Sequence, residues 1–230
     1  MIDSLSELHR LNIPHLYISD LDMDELSPQD KHHLLNVRRL KVGQRITVTD
    51  GKGTWQECEI TKSTLKRISD RYFCENYVAK SSIHIALTKS GKPELVTQKL
   101  TELGVTSIQF FFSERSIPQW DESKTLKKLR KLKTISKQAL AQSKGVWLPR
   151  LNVGARFEEL VAEEGMFMAD RRGERLTEGV RKIMIGPEGG WGESEYEYGA
   201  KKIRIHELNL RAETAAIAVA TLMSSSFPKK

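Results

Sequence analysis

The stretch IMIGPEGGWGESE, residues 183–195, runs from an apolar core through a glycine-rich loop toward the start of a helix. Ile183, Met184 and Ile185 form a short run that suits a fully buried strand. Gly186, Pro187, Gly189 and Gly190 then break the ladder, with the carboxylate of Glu188 among them. Strand, tight loop and helix in that order form the unit from which parallel α/β sheets are built. In such sheets ligands sit beyond the carboxyl ends of the strands. The loop is not a phosphate loop, because no Gly-Lys-Ser/Thr follows at the needed spacing. Nor is it a dinucleotide fingerprint, since Gly190-Trp191-Gly192 lacks the third glycine. Glycines here would let backbone approach a flat ligand or another chain segment. Ordinary turn punctuation, with Glu188 at a helix start, stays open beside that reading.

The same rhythm extends back to residue 83. IHIALT alternates apolar residues, and Pro93 opens PELVTQKLTELG, with Val96, Leu100 and Leu103 on one face and Gly104 as the stop. VTSIQFFF reads as a strand and residues 121–144 as a long helix with Asp121 and Glu122 at its positive end. FEELVAEEG is a shorter helix; MFMA, KIMI and KIRI are strand cores; an alanine-rich helix covers about 212–225. The pattern predicts a mostly parallel α/β sheet covered on both faces. A second loop, IHELNLRAETAA, brings Asn209, Arg211, Glu213 and Thr214 to another strand end. Two such loops on adjacent strands make one crevice.

The first 75 or so residues read differently. LYIS is a brief apolar run, and SPQDKHHLLNVRRL predicts a helix with Ser27 as N-cap and Pro28 in its first turn. QRITVTDGKGTWQECEIT alternates around Asp50-Gly51 and Gly53, a hairpin signal. A small β-barrel-like domain over 1–76, followed by an α/β domain over 77–230, is expected, with ENYVAKSS at the junction.

Composition bounds the function. With 39% hydrophobic and 29% charged residues, the 230-residue chain can bury a substantial core. No apolar run approaches the roughly 18 residues of a membrane span, and MIDSLSELHRLN lacks the basic-then-apolar order of a secretion signal. Cys58 and Cys74 have no metal-ligand spacing, which suits a reducing cytoplasm. The doublet His32-His33 has no partner at metal spacing and reads as surface. The net charge of +7 is concentrated: residues 77–150 hold 14 Lys and Arg against 5 Asp and Glu, a surplus of +9, while 1–76 and 151–230 each stand at −1. That basic third suits a polyanion or a solvated lysine-rich helix face. Lys124, Lys127, Lys128, Arg130, Lys131, Lys133, Lys137 and Lys144 flank a stripe of Leu126, Leu129, Leu132 and Leu140 that is expected to face the core.

TQKLTELGV, SERSI, IGPEGG and LRAETAA, in this order and spacing, together with HHLLNVRRLKVGQ and DGKGTW, resemble the RsmE-type 16S rRNA uridine-N3 methyltransferases of the SPOUT superfamily. The resemblance spans nearly the whole chain. It implies a PUA-like β-barrel, a C-terminal α/β domain tied in a deep trefoil knot, and a homodimer with each active site at the subunit interface. It implies S-adenosylmethionine as cofactor, no metal, and 16S rRNA or the assembled small ribosomal subunit as partner in the cytoplasm. The donor would be wrapped by Ile185, Gly186, Pro187, Glu188, Gly189 and Gly190, by Leu208, Asn209, Leu210 and Arg211, and by Glu213, Thr214 and Ala215, with Met168 and Ala169 as a third wall. The chain departs from the family pattern at three places. Pro14-His15 replaces Pro-Arg; Ala141-Gln142 with Lys144-Gly145 replaces Glu-Gln with Gly-Arg; and Arg211-Ala212-Glu213-Thr214 replaces Arg-Thr-Glu-Thr.

Methyl transfer to uracil N3 removes a proton as the methyl arrives, so a site needs positioning, a proton acceptor and cations that stabilise a uracilate. Arg211 and Arg115 are candidates for the cations. Glu188 is a candidate acceptor, with Glu213 and Asp170 as alternatives and helix-start roles open for both glutamates. Arg38, Arg39, Lys89, Lys127, Lys128, Lys131, Arg171 and Arg172 are candidate RNA contacts. A related enzyme acting on tRNA or another rRNA site, and a catalytically silent RNA-binding assembly factor, are the alternatives.

Overall fold

The computed structural model describes residues 4–22, 40–62, 64–75, 80–87, 92–116, 120–177, 179–198 and 200–225. The helix expected in SPQDKHHLLNVRRL, and Arg38, Arg39 and Lys89, lie outside the described residues. The chain forms two compact units, Met1–Tyr77 with Lys137–Leu148, and Val78–Ser136 with Pro149–Lys230. Residues 137–148 thus belong with the N-terminal unit although they come long after the expected boundary at 76/77. Their packing explains why. Val146 shares a core cluster with Leu5, Leu8, Trp55 and Cys74. Gly53 N donates to Val146 O at 2.8 Å, and Leu148 N donates to Gly51 O at 2.9 Å.

The first unit holds a helix, Ser4–Arg10, that the alternation of short strands does not reveal. Its strands are β1 (His15–Tyr17), β2 (Arg45–Thr49), β3 (Thr54–Ile60), β4 (Leu65–Arg67) and β5 (Tyr72–Phe73). They form one sheet in the order β1-β2-β3-β4, with β5 also on β3. The expected hairpin is present: β2 and β3 are antiparallel with Thr49 opposite Trp55. Asp50 Oδ1 closes its loop by accepting from Lys52 N at 2.7 Å and Thr54 N at 3.2 Å, an Asx-type turn.

The second unit alternates strands and helices: β6 (Ser82–Ala86), helix Pro93–Glu102, β7 (Ser107–Phe112), helix Glu122–Gln142, β8 (Arg150–Arg156), helix Phe157–Val161, β9 (Met166–Arg175), β10 (Lys182–Ile185), helix Glu193–Glu197, β11 (Lys201–Arg204) and helix Ala212–Ser225. The sheet runs β11-β9-β10-β6-β7-β8, parallel throughout. Strand side chains alternate between two buried faces. Ile83, Ile85, Ile108, Phe110, Ile183 and Ile185 meet Val96, Leu100, Leu132 and the C-terminal helix on one side. Ala86, Phe111, Met168 and Met184 meet Phe157, Leu160 and Trp191 on the other. Each such isoleucine or phenylalanine contributes roughly 1.5–3 kcal/mol by leaving water. In the last helix Ala212, Ala215, Ala216, Val219, Ala220 and Met223 form the buried stripe. Its small side chains let it pack against the helix Pro93–Glu102 and strands β6 and β10.

Two expectations change. Leu132 and Leu140 are buried and Leu129 is half-buried, but Leu126 is 47% exposed and does not face the core. At about 100° per residue, Leu126 lies about 120° around the helix from Leu132. Ser136 completes the inward face instead, with its Oγ 3.1 Å from Thr101 Oγ1. Second, β9 extends beyond MFMA. Phe167 and Met168 oppose Lys201 and Lys202, whereas Glu174 and Arg175 oppose Ile203 and Arg204. Residues 169–173 thus stand opposite the single step between Lys202 and Ile203, a large bulge that re-aims its side chains.

Candidate functional site

The bulge in β9, the loop after β10 and the segment after β11 enclose a cleft of about 770 Å³. Ala169, Asp170, Arg171 and Arg172 form the bulge wall, Ile185–Trp191 the glycine-loop wall, and Arg204–His206 with Leu208–Ala212 and Ala215 the third.

Trp191 fixes the glycine loop. Its indole Nε1 donates to Ala169 O at 2.9 Å, linking the loop to the bulge. The ring stacks on Phe111 at 6.2 Å and 9° and packs on Phe157 at 5.8 Å. Gly186 lies against the same indole: a Cβ there would stand 2.9 Å from Cε2. Gly186 is therefore glycine because of a buried ring. Gly190 differs, having φ +74° and open space around its missing Cβ. Its N–H donates to Pro187 O at 2.9 Å, closing a four-residue turn with Glu188 and Gly189 at the tip. Glu188 is exposed there, on the cleft wall.

The segment after β11 is tied down by short-range bonds. Leu208 N donates to His206 Nδ1 at 3.0 Å, and Arg204 Nη1 lies 3.4 Å from Glu207 Oε2. Ala215 N donates to Arg211 O at 2.8 Å, which starts the last helix directly after Arg211. On the bulge, Asp170 Oδ1 accepts from Arg172 N at 2.8 Å, and the Arg172 guanidinium lies 4.4 Å over Tyr196. Arg171, Arg172, Arg204 and Arg211 outnumber Asp170 and Glu188 around the cleft, so its field favours anions.

Of the candidates read in the sequence, Ala169, Ile185, Gly186, Pro187, Glu188, Gly189, Gly190, Leu208, Asn209, Leu210, Arg211 and Ala215 line this one cleft, together with Asp170, Arg171 and Arg172. Met168 does not: it is wholly buried in the core beneath. Glu213 is buried in the first turn of the last helix, with Oε1 4.0 Å from Lys92 Nζ, and Thr214 is exposed outside the lining. Arg115 is also outside; its Nη1 donates to Gly189 O at 2.8 Å and so braces the loop.

The lining also includes Trp191, Arg204, Ile205 and His206, which sequence reasoning does not single out. Trp191 stands inside the opening motif, and its position directly after the glycine pair is the available signal.

The three helix lysines divide. Lys128 and Lys131 lie 3.3 and 2.9 Å from Glu94 Oε1. Burial alone would raise the Glu94 carboxyl, but the Lys131 hydrogen bond, a backbone bond and Lys128 outweigh it and hold it below its ordinary value. Lys127 instead lines a shallow concavity of about 550 Å³ with Glu122, Ser123, Leu126 and Arg130. Among the described residues no His/Cys/Asp/Glu group could hold a metal, and no helix is long and apolar enough to cross a membrane.

The RNA methyltransferase domain family matches residues 75–224, and the RNA methyltransferase PUA domain family matches 26–69. Ribosomal RNA small subunit methyltransferase E 2 of Borreliella burgdorferi is 30% identical over 209 residues, covering 81% of this chain and 84% of that protein. Ribosomal RNA small subunit methyltransferase E of Bacillus subtilis is 28% identical over 195 residues, covering 75% and 76%. The crystal structure of the Neisseria gonorrhoeae ribosomal RNA small subunit methyltransferase E, bound to S-adenosyl methionine, shares the fold: TM-score 0.79 at 24% identity, covering 93% of this chain and 98% of that one. The chain belongs to the RsmE-type RNA methyltransferase family, with an N-terminal PUA domain ahead of the methyltransferase domain.

Proposed function

We propose that this chain transfers the methyl group of S-adenosylmethionine to N3 of a uridine in 16S ribosomal RNA. The observation that carries the reading is one cleft built from a strand bulge and two strand ends, with apolar, main-chain and cationic walls in one place. Its volume of about 770 Å³ falls in the range of small-molecule sites, about 300–1,000 Å³. The chemistry of the lining fits the donor. Ile185, Leu208, Leu210 and Ala215 offer apolar surface for a purine, and main-chain groups of Gly186–Gly190 offer hydrogen bonds to its edge. Arginine suits a carboxylate, and Asp170 suits an amine.

When bound, the donor supplies an electrophilic methyl group on a sulfonium. The chain's own residues do the rest. Arg211, exposed on the cleft wall, stabilises negative charge on the uracil oxygens as N3 loses its proton. Glu188, at the tip of the loop turn, accepts that proton. Arg171 and Arg172 meet RNA phosphates next to the cleft, and Lys127 with Arg130 extends the cationic surface. The PUA unit supplies further RNA contacts. A homodimer, a C-terminus threaded as a trefoil knot, the assembled small subunit as substrate and a cytoplasmic location complete the reading; family membership supports them.

Calorimetric titration with S-adenosylmethionine tests the reading directly. One saturable site per chain is expected; no saturable heat would mean a silent RNA-binding protein. Mass spectrometry of 16S rRNA from cells lacking the protein should then show one uridine short of a methyl group on N3. A missing mark on another atom or another RNA would overturn the N3 assignment.

A further inference from the structure

We infer that Glu195 is a positioning residue that sets the shape of the glycine loop, and so tunes donor binding from outside the cleft. This rests on the reading of the cleft as the donor site.

The Glu195 carboxylate belongs to a residue only 3% exposed and accepts three hydrogen bonds. Gly192 N donates to Oε2 at 2.9 Å, the ordinary reach of a first-turn glutamate back to the start of its own helix. The other two bonds are not local. Ser113 Oγ donates to Oε2 at 2.8 Å, and Glu114 N donates to Oε1 at 2.8 Å. Both donors belong to the loop after β7, two strands away from β10 in the sheet. Helix capping requires neither.

The two loops interlock in the reverse direction as well. Ser194 Oγ donates to Glu114 Oε2 at 2.7 Å. Glu114 comes so close that a Cβ on Gly192 would stand 2.0 Å from its Oε2 and 2.8 Å from its Cβ, so glycine is what admits the approach. Farther along, Arg115 Nη1 holds Gly189 O at 2.8 Å. Residues 113–115 therefore clasp the segment 189–195 at both ends. Gly190 and Trp191, which wall the cleft, lie between the two clasps. A buried carboxylate with three donors is a stiff anchor, because each bond to a charged group is stronger than a neutral one and none is easily replaced by water. The same geometry makes Arg115 a brace for the loop, a role distinct from the charge stabilisation on the base for which the chemistry of methyl transfer makes it a candidate.

Glu195→Gln keeps the shape but replaces one acceptor oxygen with an NH₂ group. Whichever way the amide turns, one backbone N–H, of Glu114 or of Gly192, then faces a donor. Calorimetry with S-adenosylmethionine should show the dissociation constant rising about tenfold. In turnover assays KM for the donor should rise with it, while kcat at saturating donor stays within about twofold and RNA affinity is unchanged. Ser113→Ala, which removes one of the three bonds, should weaken the donor about threefold. An unchanged donor affinity in Glu195→Gln overturns the inference, as does an equal weakening of donor and RNA. Should Glu195→Gln fail to fold, unchanged donor affinity in both Ser113→Ala and Arg115→Gln overturns it instead. Failure of the unmodified protein to bind the donor would sink the proposed function, a separate outcome.

Discussion

One added methyl group should have three different consequences at three glycines of the same loop. At Gly186 a Cβ would stand 2.9, 3.1 and 3.2 Å from atoms of the Trp191 ring. The ring has little room to retreat, since Phe111 lies nearly parallel to it, Phe157 packs on it and Nε1 is bonded to Ala169 O. Overpacking of this kind costs about 1–3 kcal/mol. For a chain of this size, a cost of about 2 kcal/mol lowers the unfolding midpoint by about 4–8 °C. At Gly190 nothing lies within 4 Å of the added carbon, but φ is +74°, so the cost is conformational and about 1 kcal/mol. At Gly189 φ is not left-handed and the nearest atom, Arg115 Cδ, is 3.8 Å away. Gly189→Ala should therefore be neutral or stabilise by about 0.4–1 kcal/mol through the unfolded chain.

Thermal and urea unfolding of the three alanine variants would rank them, and donor titration on each folded variant adds a second readout. A stable Gly189→Ala variant that no longer binds donor identifies Gly189 as the glycine reserved for ligand approach. Equal destabilisation by Gly186→Ala and Gly189→Ala would refute the assignment of Gly186 to the indole.

Arg211→Ala should lower kcat about 100-fold, the scale of removing one charge-stabilising donor, while RNA affinity stays within about twofold; equal decreases in both reject its role. Replacing Lys127 and Arg130 with Gln should flatten the salt dependence of RNA binding by roughly one unit of slope for each phosphate no longer neutralised, whereas Lys128 and Lys131, already paired with Glu94, should change it less. His84 gives a pH prediction. Burial pushes its imidazole from 6.5 down to about 4, with Glu163 opposing and Lys182 adding to the fall. The unfolded chain then binds the extra proton between those values, so stability is full above pH 6.5 and declines toward pH 4, by about 2 kcal/mol at pH 5. Urea unfolding of the parent and of His84→Gln at pH 7 and pH 5 should show that decline in the parent alone; identical pH profiles would refute it.

The doubly covered sheet is legible in the sequence because burial on both faces leaves a near-continuous apolar run, as in Lys182–Ile185, that polar strands cannot imitate. Pro93 and Gly104 frame their helix for equally local reasons. The rest depends on distant partners. Arg171, Arg172, Glu174 and Arg175 carry no strand signal: Glu174 and Arg175 are held extended by pairing with Ile203 and Arg204 of β11, and Arg171 and Arg172 lie in the bulge at the break in register. β8 is hidden for a similar reason: Arg150–Arg156 alternates weakly and relies on β7 for its ladder. The motifs carry most of the cleft's lining, since glycine and proline act locally. Motifs say nothing of depth, and so do not show that Met168 and Glu213 are buried away from the lining, or that Arg115 and Glu195 act from behind it.

Two of the departures from the family pattern meet in one place. His15, where the pattern carries arginine, is buried with Nδ1 2.8 Å from Thr47 Oγ1 and Nε2 3.0 Å from Gly145 O. A carbonyl only accepts, so Nε2 carries a proton. Gly145 is itself the other arginine position of the pattern, and a Cβ there would stand 2.8 Å from Leu140 Cδ1. Lys144 occupies the pattern's glycine position at φ +53°, the one left-handed non-glycine among the described residues, at a cost of about 1 kcal/mol. Its ammonium bonds Leu11 O, which offsets part of that strain. His15, Lys144 and Gly145 thus share one hydrogen-bonded seam that ties residues 137–148 into the N-terminal unit. None of these residues lines the cleft. The third departure, Ala212, does line it, but as a buried core residue at the start of the last helix, where the absent hydroxyl removes a polar group from an apolar cluster. Two of the departures from the pattern therefore act within the N-terminal unit, while the third removes one hydroxyl from the wall of the cleft and leaves the glycine loop as it was.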